Sequence, residues 1–133
     1  MNGNAIIGLG VDLVRISRFG ALLQKRKQAV LERLFTSGEL TYCLAKKDPS
    51  PHLAARFAAK EAFLKALGLG LRQGLSWQQI EIVTDHLGKP SLTLSGIAAE
   101  IMQQRGARTS HLSYSHDGDY ALATVILEGP WSS

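Results

Sequence analysis

Cysteine is almost missing from this chain: Cys43 stands alone among 133 residues. A single thiol excludes an intrachain disulfide and a multi-cysteine zinc site. No apolar run reaches the roughly 20 residues a membrane-spanning helix needs, so no membrane partner is expected. Met1-Asn2-Gly3-Asn4 places no basic segment ahead of the first apolar stretch, which argues against a secretory leader. With the lone thiol, this makes a cytoplasmic location the expectation. Aromatics are only 7% of the chain and do not interleave with basic residues. No standard nucleic-acid-binding pattern occurs either, so no nucleic-acid partner is expected. The four histidines, His52, His86, His111 and His116, show no metal-ligand spacing. The Gly68–Gly74 loop lacks the lysine and serine/threonine ending of a phosphate-binding loop and follows a helix rather than a strand. Repeats, low-complexity tracts and linkers are absent.

What remains is an ordinary globular composition, 45% hydrophobic and 20% charged. That length and composition fit a single domain over residues 1–133. The net charge of +4 is unevenly spread. Between Val14 and Phe35 stand Arg15, Arg18, Lys25, Arg26, Lys27 and Arg33 against Glu32 alone. A basic surface so concentrated steers acidic partners: nucleic acid, an anionic membrane, a phosphorylated metabolite or an acidic protein.

Hydrophobic spacing predicts a strand over Ala5–Val11, ended by Asp12, and one helix from about Val14 to Leu34 with Ile16, Phe19, Leu23, Val30 and Leu34 on one face. Thr36-Ser37-Gly38-Glu39 is a capping-box pattern opening a short helix through Ala45. Ser50 as cap and Pro51 as first helical residue open a long helix that Gly68 ends. Strands are expected at Ile80–Thr84 and Ser91–Leu94 around a Leu87-Gly88-Lys89-Pro90 turn. A helix follows from Ser95 to Gln104, with Gly106 just past its end. His111–His116 and Tyr120–Leu127 form a hairpin around Asp117-Gly118, and the tail from Glu128 reads as loose. Strand, helices, two strands, helix, two strands is α+β: a mainly antiparallel sheet packed against a long helix and shorter ones.

The long helix holds the richest chemistry. Glu61 lies four residues after Phe57 and three before Leu64, on an apolar face. A carboxylate turned toward a core must be paired, metal-bound or protonated. Lys65 follows one turn later. The two could equally form a plain helix ion pair. Asp12, at the end of a strand, could cap the next helix or join Glu61 in holding Mg²⁺, which favours one or two carboxylates, water and phosphate oxygens. His116 is a surface hairpin residue or a donor to phosphate. The residues thus point to a small metal-assisted enzyme acting on a phosphate compound, with an acidic partner. Another metal-dependent phosphoryl or nucleotidyl enzyme, and a basic module binding nucleic acid, remain as rivals.

Three segments carry a resemblance. Gly8-Leu9-Gly10-Val11-Asp12-Leu13 with Arg15, Ile16 and Arg18, then Phe57-Ala58-Ala59-Lys60-Glu61-Ala62-Phe63-Leu64-Lys65-Ala66, then Leu112-Ser113-Tyr114-Ser115-His116 with Tyr120-Ala121, resemble in order and spacing the short bacterial class of 4′-phosphopantetheinyl transferases. The resemblance implies that family's fold. It implies Mg²⁺-dependent transfer of phosphopantetheine from coenzyme A to a serine of apo-acyl carrier protein, releasing adenosine 3′,5′-bisphosphate, for fatty acid biosynthesis. It implies Asp12 and Glu61 as metal ligands, and Glu61, Lys65 and Asp12 as catalytic residues. It places coenzyme A contacts at Arg56, at Gly88, Lys89 and Pro90, and at His116. Arg15 and Arg18 would meet the acidic carrier protein. Homotrimers with active sites between subunits are implied as well.

Overall fold

A computed structural model describes residues 3–71 and 74–131. Met1, Asn2, Ser132 and Ser133 of the termini, and Arg72 and Gln73 of the glycine loop, lie outside the described residues. Strand β1 (Asn4–Arg15) leads into helices α1 (Ile16–Gln24), α2 (Gln28–Leu34), α3 (Ser37–Leu44) and α4 (Ser50–Leu67). A short 3₁₀ turn, Trp77–Gln79, precedes the β2 (Ile80–Thr84) and β3 (Pro90–Leu94) hairpin. Helix α5 (Gly96–Gln104) and a second hairpin, β4 (Thr109–Asp117) and β5 (Tyr120–Pro130), complete the chain. The sheets are antiparallel, one in the order β1-β5-β4 and one of β2 with β3. The expected α+β class holds.

Helix α4 is the axis of the molecule. Apolar on nearly every side, it suits a helix enclosed by neighbours. The three-stranded sheet covers one side of it, through the inward Ala121, Ala123, Val125 and Leu127 of β5, all 0% exposed. Phe19 of α1 packs against Phe57 of α4 with ring centroids 5.7 Å apart. Two glycines set how closely β1 approaches. A Cβ at Gly10 would stand 1.9 Å from the Ala62 carbonyl oxygen, and one at Gly8 would stand 2.0 Å from that of Ala66. Only hydrogen at these positions lets the strand backbone lie on the helix backbone.

Several expected boundaries move. Strand β1 does not stop at Asp12. It continues to Arg15 because β5 pairs with it throughout, Asp12 opposite Ala123 and Arg15 opposite Tyr120. Arg15 is therefore a strand residue rather than part of a basic helix. The single helix over 14–34 is two, broken at Lys25–Lys27 where Arg26 turns to φ 52°. Pro49, not Ser50, occupies the cap of α4. The tail is ordered through Pro130 in β5, and the Trp131 N–H donates to the Gly3 carbonyl at 2.8 Å. The Thr36–Glu39 capping box forms as expected, with both reciprocal bonds present.

Candidate active site

From Leu53 to Leu67 every residue of α4 is buried except Glu61 and Lys65. Side chains four apart on a helix share a face, so these two make one polar window in an otherwise enclosed helix. Strand β1, pressed onto α4 by Gly8 and Gly10, delivers Asp12 to that window. Lys65 Nζ donates to Asp12 Oδ1 at 2.8 Å. Asp12 is only 14% exposed in its side chain, Lys65 54%. Arg18 of α1 completes the group. Its guanidinium lies 5.2 Å over the Phe57 ring, one turn before Glu61.

The electrostatics are those of a crowded acidic pair. Burial raises the Glu61 carboxyl above its ordinary value, and the Asp12 charge raises it further, while Lys65 and Arg18 oppose. The hydrogen bond to Asp12 raises Lys65 above its ordinary value. Among the described residues no three His, Cys, Asp or Glu side chains cluster. Two half-buried carboxylates from separate elements do not make a zinc site. They do fit Mg²⁺, which keeps water and takes phosphate oxygens for its remaining positions.

Arg56 lies elsewhere. It is separated from Glu61 by about 140° around α4 at 100° per residue. Its side chain is 2% exposed and lines a cavity of about 250 Å³ with Gly38, Tyr42, Glu81, Val83 and Thr84. The guanidinium carbon sits 4.3 Å over the Tyr42 ring, and Lys46 Nζ sits 4.5 Å over the same ring. Arg56 Nε has no hydrogen-bond partner among the described residues. A buried cation with a donor to spare seeks an anion. His116 is close enough to His52 that it helps lower that imidazole, after burial and the charges of Lys46 and Arg56. The turn at Gly88, Lys89 and Pro90 begins at the rim, since Thr84 pairs with Pro90. Asp85 Oδ1 holds this turn by accepting from the Leu87 and Lys89 N–H groups, both at 2.9 Å.

The expected residues thus fall into two groups: Asp12, Glu61, Lys65 and Arg18 at one window, and Arg56 in the wall of the cavity, with His116 near its neighbour His52 and the 88–90 turn next to the cavity's Thr84. Arg15 stands apart, stacked 5.1 Å over Tyr120. Sequence reasoning missed Tyr42, His52 and Lys46 beside Arg56; Lys46-Lys47 reads locally only as a helix end. It also missed Lys60. Lys60, like Arg56, is a buried charge of α4, at 0% exposure, while Glu61 is only partly covered. Lys60 Nζ donates to Glu39 Oε1 at 2.7 Å and to the Trp77 carbonyl at 3.0 Å. The alternation of charge at residues 60, 61 and 65 carried a faint signal, since neighbours about 100° apart on a mostly enclosed helix do not share one narrow exposed face.

The family model described as the 4′-phosphopantetheinyl transferase superfamily matches residues 8–125. The holo-[acyl-carrier-protein] synthase of Syntrophotalea carbinolica is 61% identical over 122 residues, covering 92% of this chain and 95% of its own. The crystal structure of holo-[acyl-carrier-protein] synthase from Neisseria meningitidis matches with a TM-score of 0.82 at 38% identity, over 92% of this chain and 98% of that one. The Helicobacter pylori holo-[acyl-carrier-protein] synthase, solved in complex with coenzyme A, matches with a TM-score of 0.77 at 34% identity, over 90% and 98%.

Proposed function

The chain belongs to the 4′-phosphopantetheinyl transferase superfamily, and from that premise we propose how its residues carry out phosphopantetheine transfer from coenzyme A to acyl carrier protein. The observation that carries the reading is the polar window: from Leu53 to Leu67 only Glu61 and Lys65 interrupt the burial of α4, and β1 brings Asp12 to them.

A serine hydroxyl of the carrier attacks the phosphorus that bears the pantetheine arm. The new P–O bond forms as the bond to the bridging diphosphate oxygen breaks, and adenosine 3′,5′-bisphosphate leaves. Asp12 and Glu61 are the ligands that would hold Mg²⁺, which when bound draws charge from the diphosphate and the leaving oxygen. Glu61 takes the serine proton through water. Lys65 balances negative charge at the diphosphate and supplies a proton to the leaving phosphate. The basic cavity around Arg56, with His116 beside it and the Gly88-Lys89-Pro90 turn at its rim, takes the adenosine and 3′-phosphate end of coenzyme A. Arg18 and Arg15 orient the acidic carrier.

The window and the basic cavity open on different sides of α4. One coenzyme A reaches both most simply if neighbouring subunits contribute one each. The outer face of β1 supports such an assembly. Leu9, Val11 and Leu13 are 60%, 47% and 58% exposed, and Leu13 pairs with Leu122, itself 40% exposed. An apolar stripe of this kind marks an interface, here that of a homotrimer. The setting is cytoplasmic fatty acid biosynthesis.

The test is the intact mass of an apo-acyl carrier protein after incubation with this protein, coenzyme A and Mg²⁺. A gain of one phosphopantetheine that EDTA abolishes is expected. No gain with several acidic carriers would overturn the reading in favour of another diphosphate substrate.

A further inference from the structure

Helix α1 begins at Ile16 directly after β1, with no loop and no local cap. Arg15 in the cap position makes no side-chain capping bond, and the first turn contains no acidic residue. The missing acceptors come from the β4–β5 turn, over a hundred residues away. The Ile16 N–H donates to the Asp119 carbonyl at 2.8 Å. The Ser17 N–H donates to Asp119 Oδ1 at 2.9 Å, and the Ser17 hydroxyl donates to Oδ2 at 2.7 Å. A first-turn N–H has no intrahelical acceptor, so Asp119 supplies from far along the chain the acceptors that Ile16 and Ser17 need. The next residue, Tyr120, lies beneath the Arg15 guanidinium at 5.1 Å. The same hairpin carries His116 three residues earlier.

We propose that Asp119 is a positioning residue for the carrier protein: by capping α1 it fixes the helix that presents Arg18 at the Glu61 window. A nine-residue helix is too short to hold itself; Ile16 and Phe19 are its fully buried anchors, with Leu22 and Leu23 only partly buried against the core. Its entry angle therefore depends on this latch. The inference rests on the transferase reading for its kinetic consequence and on geometry alone for the cap.

The experiment has two arms, on Asp119→Ala and Asp119→Asn. Amide exchange at Ser17 should quicken about fivefold or more in the Ala variant, the usual worth of a helix cap. Asn, which offers an acceptor to the Ser17 N–H and a donor to its hydroxyl, should restore protection. In steady-state transfer, Asp119→Ala should raise KM for carrier protein about fivefold, leave KM for coenzyme A unchanged, and recover with Asn. Unchanged exchange at Ser17 would overturn the cap. Quickened exchange with an unchanged carrier KM, or with both KM values raised together, would overturn the positioning role. A wild-type protein that transfers nothing would remove the transferase reading and the kinetic consequence with it, while the exchange arm still decides the cap.

Discussion

Lys60 and Lys65 leave the same helix five residues apart, and each holds a carboxylate from another element. Lys60 and Glu39 are both 0% exposed. Glu39 is used at both oxygens: Oε1 takes Lys60 and the Thr36 N–H, and Oε2 takes the Ile82 N–H at 2.8 Å. One buried pair thereby ties α3, α4, β2 and the Trp77 turn together. Burial pulls Lys60 below its ordinary value, with Glu39 opposing. Lys65, more than half exposed, makes one bond to Asp12 and nothing else among the described residues. A buried, saturated pair is a fixture. A lone contact at the surface contributes little stability and can be exchanged, so Asp12 is free to pass from the ammonium to another cation. The same residue types serve architecture and chemistry, and the count of satisfied bonds tells them apart.

The largest effect that would test this contrast is on turnover. Asp12→Ala and Glu61→Ala should each lower phosphopantetheine transfer by about 10³-fold or more, with the circular dichroism spectrum and oligomeric state unchanged. An unfolded Glu61→Ala protein would instead place Glu61 with Glu39 among the structural residues. Lys60→Ala should behave in the opposite way. Leaving Glu39 buried without its partner costs about 3–5 kcal/mol, read as a lowered urea midpoint. The double variant Lys60→Met with Glu39→Leu should recover part of that loss. A Lys60→Ala protein of full stability would show that the buried pair is not a fixture.

Gly10→Ala should strike fold and active site at once. The added methyl would meet the Ala62 carbonyl at 1.9 Å and the Ala66 nitrogen at 2.7 Å. Backbone cannot move aside as a side chain can, so β1 must lift from α4, at a cost of about 1–3 kcal/mol. Asp12 lifts with it, and turnover should fall out of proportion to the stability lost. Equal stability and equal turnover would mean that the close approach of strand and helix does not set the site.

The reach of the sequence divides along similar lines. Features whose cause is local were legible: the Thr36–Glu39 capping box, the Gly68 helix stop, the Asp117-Gly118 hairpin and the alternation in Ile80–Thr84. Glu61, Lys65 and Asp12 could be picked out because a carboxylate among apolar neighbours needs a partner. Features whose cause lies far along the chain were not. Asp12 reads as a strand end until β5 is seen to pair past it. Lys60 in an alanine-rich helix reads as a solvated residue, because Glu39, 21 positions earlier, leaves no mark near it. The break at Lys25–Lys27 interrupts an apolar pattern that continues on both sides. Asp119 caps a helix 102 positions away. Gly8 and Gly10 were the missed opportunity, since glycine within a strand signals close backbone approach.

The smallest effect is the most discriminating. Burial, and then Asp12, raise the Glu61 carboxyl above its ordinary value. A carboxylate raised by folding contributes its full stability below its unfolded pKa and loses it as pH rises through the folded one. At neutral pH the metal-free protein therefore carries an ionised Glu61 that the fold resists. Glu61→Gln keeps the shape and removes the charge. The variant should melt a few degrees higher than wild type at neutral pH, on the order expected where function opposes stability. The gap should close as pH falls through the raised carboxyl, where wild type becomes neutral too. Mg²⁺ should raise the wild-type Tm by mass action and leave the Gln variant nearly unmoved. A Gln variant that melts lower at neutral pH would make Glu61 a stabilising partner like Glu39, and the contrast between the two pairs on α4 would fail.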